Sequence, residues 1–150
     1  EKRPDIVFKL AGWIDSNPNA ISQNELDEWT NSGVIDYLGR LDDVQPAIAA
    51  CSVYVLPSYR EGIPRTVLEA MAMGRAIITT DAPGCRETVI DGRNGFLTPV
   101  KSVKSLVIAM KKFIDDESLV AKMGAVSRQI AVDKYDVHKV NAAILKEMNI

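Results

Sequence analysis

Two glutamates, Glu61 and Glu69, flank seven residues in the stretch Pro57-Ser58-Tyr59-Arg60-Glu61-Gly62-Ile63-Pro64-Arg65-Thr66-Val67-Leu68-Glu69-Ala70-Met71. The layout suits a ligand that carries a phosphate and a vicinal diol. Pro64 fits the first turn of a helix that Gly74 would end. Amides just before and within that turn have no helical partners and sit at the positive end of the dipole, where a phosphate is stabilised. Gly62 carries no side chain to keep a ligand off the backbone. Glu69 falls roughly 7–8 Å further along the axis, at about 1.5 Å per residue. Its carboxylate can accept two hydrogen bonds from a vicinal diol such as a ribose. Glu61, on the loop, is placed to touch what lies beyond the phosphates. A plainer reading stands beside this one. Thr66-Val67-Leu68-Glu69 also fits a capping box, in which Glu69 would only tie off its own helix. Ser58-Tyr59-Arg60-Glu61 has the same pattern, but Gly62 and Pro64 argue against a helix starting there.

A site of this kind needs a scaffold that brings a loop and a helix start to one edge. Ile6 to Ala11 reads as a buried strand ending at Gly12. Ser22-Gln23-Asn24-Glu25 is a capping box that opens a helix towards Ser32, with Gly33 as its stop. Val34 to Leu38 is a second strand, Val44 to Cys51 a short helix, and Val53 to Leu56 a third strand stopped by Pro57. The helix from Pro64 to Met73 follows, then a strand over Ala76 to Thr80 and a short one at Phe96-Leu97. Between them, Asp91-Gly92-Arg93-Asn94-Gly95 is a turn expected to shape the rim. Beyond Val103 the apolar residues recur at helical spacing in three blocks, the last holding Val137, Val140, Ile144 and Met148. Strands alternating with helices predict an α/β class: a Rossmann-like parallel sheet with helices on both faces and a helical C-terminus. Ligands of such sheets bind beyond the carboxyl ends of the strands. The loops after Leu10, Leu38, Leu56 and Thr80 are therefore expected on one rim.

The ordered set of motifs resembles glycosyltransferase family 4, the retaining family of the GT-B fold. Pro-Ser-x-x-Glu-Gly-x-Pro at 57–64 and Leu-Glu-Ala-Met-Ala-x-Gly at 68–74 carry its pair of glutamates. The likeness continues through Ala76-Ile77-Ile78-Thr79-Thr80, Pro83-Gly84-Cys85-Arg86-Glu87 and Asp91-Gly92-Arg93-Asn94-Gly95-Phe96-Leu97. By that resemblance residues 1–150 form the nucleotide-sugar-binding C-terminal half. Glu69 would bind the ribose hydroxyls and Glu61 the hydroxyls of the transferred sugar. The amides around Gly62, Ile63, Pro64, Arg65, Thr66 and Val67 would receive the diphosphate. Gly39, Arg40 and Leu41 would lie against the nucleobase. The family needs no bound metal and no cofactor beyond its nucleotide-sugar substrate. The wording of 59–65 and 83–87 is similar to bacterial enzymes of capsule, O-antigen or lipid-linked oligosaccharide synthesis, which mostly use UDP sugars. The acceptor, a glycan or lipid-linked sugar, would be met through an N-terminal domain outside this chain. The first strand-helix unit of this half, with its expected Arg and Lys, is also expected to lie outside it. Gly39-Arg40-Leu41 is a look-alike of that earlier motif at a later loop. The chain alone is thus expected to bind donor weakly and transfer little. A non-catalytic nucleotide-binding domain of the same fold and a sugar-nucleotide epimerase are the alternatives.

Composition narrows the field further. The 150 residues carry a net charge of −2, so no strong field favours nucleic acid or an anionic membrane. Hydrophobic residues at 47% and charged ones at 25% are ordinary for a globular domain. Two cysteines, Cys51 and Cys85, suggest a reducing, cytoplasmic setting. The inner face of the membrane and peripheral association concern the full-length enzyme only. No Gly-x-Gly-x-x-Gly or P-loop opens a helix. The one histidine, His138, stands in the C-terminal helical part, away from any ligand cluster. Arg60, Arg65 and Arg86 fall near the expected rim, where each could approach a phosphate but reads rather as a surface charge or ion-pair partner.

Overall fold

A computed structural model of the chain describes residues 5–18 and 20–148. Contacts gather into two compact units, Glu1–Val44 and Gln45–Ile150. In the first, β1 (Lys9–Ala11) and β2 (Asp36–Gly39) pair in parallel across α1 (Gln23–Asn31). The capping box that opens α1 is present in both directions. Ser22 accepts from the Glu25 amide at 3.2 Å, and the Glu25 carboxylate accepts from the Ser22 amide at 2.8 Å. At the carboxyl ends of the strands the Gly12 amide donates to the Gly39 carbonyl, and the Tyr37 hydroxyl to the Gly12 carbonyl.

The second unit runs α2 (Gln45–Ala50), β3 (Val53–Leu56), α3 (Arg65–Ala72), β4 (Ala76–Thr80), β5 (Gly95–Thr98), α4 (Val103–Asp115), α5 (Ser118–Lys134) and α6 (Val137–Glu147). Its sheet is parallel, in the order β3-β4-β5. All five residues of β4 are buried, so the central strand is covered on both faces. Ala76 and Ile78 pack with Phe96, Ala109, Phe113 and Met123, and Val53 and Val55 of β3 lean on the same cluster. Phe96 and Phe113 meet edge to face with ring centres 5.3 Å apart.

Two expectations are corrected. The strands form two parallel sheets, β1-β2 and β3-β4-β5, rather than one. Hydrophobic period shows that a segment is extended but carries no information about which edge it joins. The turn over Asp91–Gly95 also lies at the amino end of β5, opposite the carboxyl-end rim, because Gly95 is the first residue of that strand. Its work is structural. The buried Asn94 side chain accepts from the Ile90 amide at 2.7 Å and donates to the Thr88 carbonyl at 3.1 Å. The main-chain carbonyl of Asn94 receives the Ile77 amide and the Ser127 hydroxyl. Asn94→Ala strands a donor and a buried acceptor, and is expected to cost about 2 kcal/mol. Urea denaturation with an unchanged m-value reads this directly, and a loss under about half a kcal/mol would show the turn to be self-supporting.

Both cysteines are free, Cys85 buried and Cys51 half-buried. Among the described residues no helix is long and apolar enough to cross a membrane.

Candidate functional site

The site grows out of the carboxyl end of β3. Alternation along this strand sends Val53 and Val55 into the α4/α5 core, so Tyr54 faces the other side. Pro57 ends the strand, and the loop runs over Ser58 to Ile63 into the buried Pro64. Pro64 takes the N-cap position of α3, with φ −70° and ψ 113° and no side-chain cap. That choice leaves the helix start open. Among the described residues nothing accepts the backbone N–H groups of Gly62, Ile63, Arg65 and Thr66. The expected donor set loses one member. Val67 is fully buried and its N–H donates to the Pro64 carbonyl at 3.1 Å, because the first turn closes tightly on Pro64.

Glu69 is not a capping-box residue, since Thr66 lies inside the helix rather than at its cap. Its carboxylate instead meets the Arg65 guanidinium, Oε1 to Nε, at 2.9 Å. Glu69 is three-quarters covered while Arg65 stands in solvent.

Glu61 is held at two points. The Ser58 hydroxyl donates to its Oε1 at 2.6 Å, and its own amide donates to the Pro83 carbonyl at 3.2 Å. Ser58 is anchored in turn, its carbonyl receiving the Thr80 hydroxyl from the end of β4. The Ser-x-x-Glu pattern at 58–61 thus makes its side-chain contact with no helix to cap. Gly84 (φ +84°) lets the next loop lie directly on this backbone. A Cβ built there would stand 1.6 Å from the Gly62 carbonyl oxygen and 2.3 Å from that of Glu61. At Gly62 the reverse holds, since an added Cβ would meet nothing within 4 Å and the backbone faces open space.

Sequence reasoning passed over Tyr54. Burial pushes its phenol above the usual tyrosine value, a hydrogen bond with the Thr66 side chain opposes that, and the negative fields of Cys51, Glu69 and Glu61 add to the rise. Tyr54 therefore stays neutral at physiological pH. Strand alternation was the available signal, because a tyrosine between two core valines must face the opposite side. Ser58 and Gly84 were legible only as motif members. Arg86 is tied up locally, Nε to Asp81 Oδ1 at 3.0 Å, and holds the turn after β4. Beside the Glu61 loop, a hollow of about 430 Å³ is lined by Pro57, Tyr59, Thr80, Thr98 and Lys101.

Gly39, Arg40 and Leu41 belong to the first unit and the Glu61–Glu69 segment to the second. Gly39 closes β2, and the Arg40 guanidinium stacks on the Trp13 ring at 4.9 Å, at the carboxyl ends of β1 and β2. His138 is exposed on α6, where its amide is bound by the Asp136 cap. Among the described residues no three His, Cys, Asp or Glu side chains gather as a metal cluster.

Comparison with known proteins follows the same segment. The profile of the glycosyl transferases group 1 family matches residues 1–116. The N,N'-diacetylbacillosaminyl-diphospho-undecaprenol alpha-1,3-N-acetylgalactosaminyltransferase of Campylobacter jejuni is 35% identical over 139 residues, which cover 93% of this chain and 36% of that protein. The crystal structure of Anabaena HepE with UDP superposes with a TM-score of 0.83 at 26% identity, over 98% of this chain and 42% of that one. HepE with UDP-glucose gives 0.80 at the same identity and coverage. The chain spans little more than a third of the length of the curated relatives it matches, 36% and 39% for two of them.

Proposed function

Because this chain belongs to the glycosyl transferases group 1 family, we propose that it is the donor-holding part of a retaining glycosyltransferase that transfers a sugar from a nucleoside diphosphate to an acceptor hydroxyl. One observation carries the reading. The start of α3 offers four unclaimed amides between two carboxylates that are each held in place. The amides of Gly62, Ile63, Arg65 and Thr66 would receive the diphosphate, with Pro64 fixing the backbone between them. Glu69, one turn further on, would take the ribose diol, and Glu61 the hydroxyls of the transferred sugar. Gly39, Arg40 and Leu41 are assigned to the nucleobase on the strength of the family resemblance.

As the glycosidic bond breaks, negative charge grows on the leaving diphosphate. Fixed amides and the helix dipole stabilise that charge without reorganising, which lowers the barrier electrostatically. The negative Glu61 favours the cationic sugar centre that forms at the same moment. A bound metal is not required by this scheme. UDP is the proposed carrier, supported by the HepE complexes with UDP and UDP-glucose. The Campylobacter relative's diphospho-undecaprenol acceptor supports a role in bacterial surface polysaccharide or lipid-linked oligosaccharide synthesis. The acceptor would be bound by an N-terminal half outside this chain, in a cytoplasmic enzyme working at the inner face of the membrane.

Calorimetric titration of UDP in EDTA-containing buffer tests the reading. Glu69→Ala removes two hydrogen bonds to the diol from a charged acceptor and is expected to weaken UDP about a hundredfold. Absence of UDP binding, or binding unchanged in the variant, would favour a non-catalytic domain of the same fold, and an assay separating transfer from isomerisation would distinguish a sugar-nucleotide epimerase.

A further inference from the structure

The Arg65–Glu69 pair is hard to explain as a helix-stabilising contact. Arg65 is the first residue of α3, so its positive charge sits at the positive end of the dipole, and no acidic residue in the first turn offsets it. A basic residue four positions before an acidic one is also the weaker order for such a pair. The side chain is 90% exposed, where an ion pair is screened and weak. A local rule broken without a folding gain points to function.

We propose that Arg65 is a donor-binding residue that exchanges partners. In the free protein its Nε holds Oε1 of Glu69, and when the nucleotide binds the guanidinium leaves that carboxylate and takes the diphosphate. The inference rests on the donor-site reading above and adds a role for the Arg65 side chain. Its backbone N–H is already among the open amides, so the stem starts where the phosphates would lie. Nε uses one of the five donors of the guanidinium, and its fork matches two phosphate oxygens. A doubly charged diphosphate offers more than a single carboxylate does, so the exchange runs towards the nucleotide. The same movement frees Oε1, giving Glu69 both oxygens for the ribose diol.

Uridine and UDP separate this exchange from a structural role, because uridine has the diol without the phosphates. In the full-length enzyme, Arg65→Gln is expected to weaken UDP about tenfold, the loss of one charge-assisted contact. Uridine should bind at least as tightly as to wild type, since Glu69 is released from its partner. Arg65→Lys, which keeps the charge but not the fork, should recover only part of the UDP affinity. Equal weakening of uridine and UDP in Arg65→Gln would mean that Arg65 acts only through Glu69, and unchanged UDP binding would mean that it is a surface charge. Either overturns the proposal. Glu69→Ala serves as the control. If it leaves uridine binding intact, the donor-site reading itself fails, and the exchange with it.

Discussion

Glu61→Gln in the full-length enzyme is expected to lower kcat about a thousandfold while leaving UDP affinity unchanged. Glutamine keeps the carbonyl oxygen that accepts from the Ser58 hydroxyl, and the backbone bond to Pro83 does not involve the side chain. The substitution therefore removes charge with little change of shape. On the proposed reading, what is lost is a fixed negative group beside a sugar centre that becomes cationic only as the bond to the diphosphate breaks. Interactions that strengthen in the transition state appear in kcat, and removing one preorganised group of this sort costs about 10²–10³. UDP carries no transferred sugar and so does not report on Glu61. Steady-state rates together with UDP titrations separate the two effects. A kcat within about threefold of wild type would remove Glu61 from the chemistry, and a parallel loss of UDP affinity would place it at the diphosphate instead.

Gly84→Ala should come close to the same loss of rate through a residue that touches no substrate. A Cβ at 1.6 Å from one backbone oxygen and 2.3 Å from another cannot be absorbed by a rotamer change, because both neighbours are main chain. Either the Pro83–Gly84 turn or the Glu61–Gly62 segment must move, and the 3.2 Å bond from the Glu61 amide to Pro83 breaks with it. The left-handed backbone at φ +84° adds about 1–2 kcal/mol for a residue with a Cβ. A displacement of about 1 Å at a reacting group costs about a hundredfold in rate. The expected outcome is a folded protein with a lowered melting temperature and a kcat reduced at least a hundredfold. Measuring both matters. Wild-type turnover in Gly84→Ala would mean that the second loop does not position Glu61, whatever happens to stability.

These two residues differ in how visible they are. Glu61 and Glu69 were legible because their spacing, with Gly62 and Pro64 between, encodes a loop feeding a helix start over fewer than ten residues. Most helix and strand assignments came through for the same reason, the exception being the buried strand read over Ile6 to Ala11, of which only Lys9–Ala11 is a strand and all three residues are exposed. The Ser22 capping box, the stop at Pro57 and the spacing of Leu106, Met110 and Phe113 are all local signals. Errors arose where position depended on something distant. The Asp91–Gly95 turn was recognised as a turn but assigned to the wrong end of the sheet, and Val67 was counted as a donor before its amide was seen to close on Pro64.

The sequence by itself thus determined the class of fold, the order of its elements, the family and the two candidate carboxylates. Only the tertiary structure decided how Glu61 is held, by a hydroxyl three residues back and a turn more than twenty residues ahead. Only it divided the strands into two sheets, and only it set Arg65 against Glu69. The physical reason is range. Propensity, capping and period act within a turn or two of chain, where the sequence states them directly. The approach of one loop to another is set by the packing of β3 against β4, and no local pattern encodes that distance.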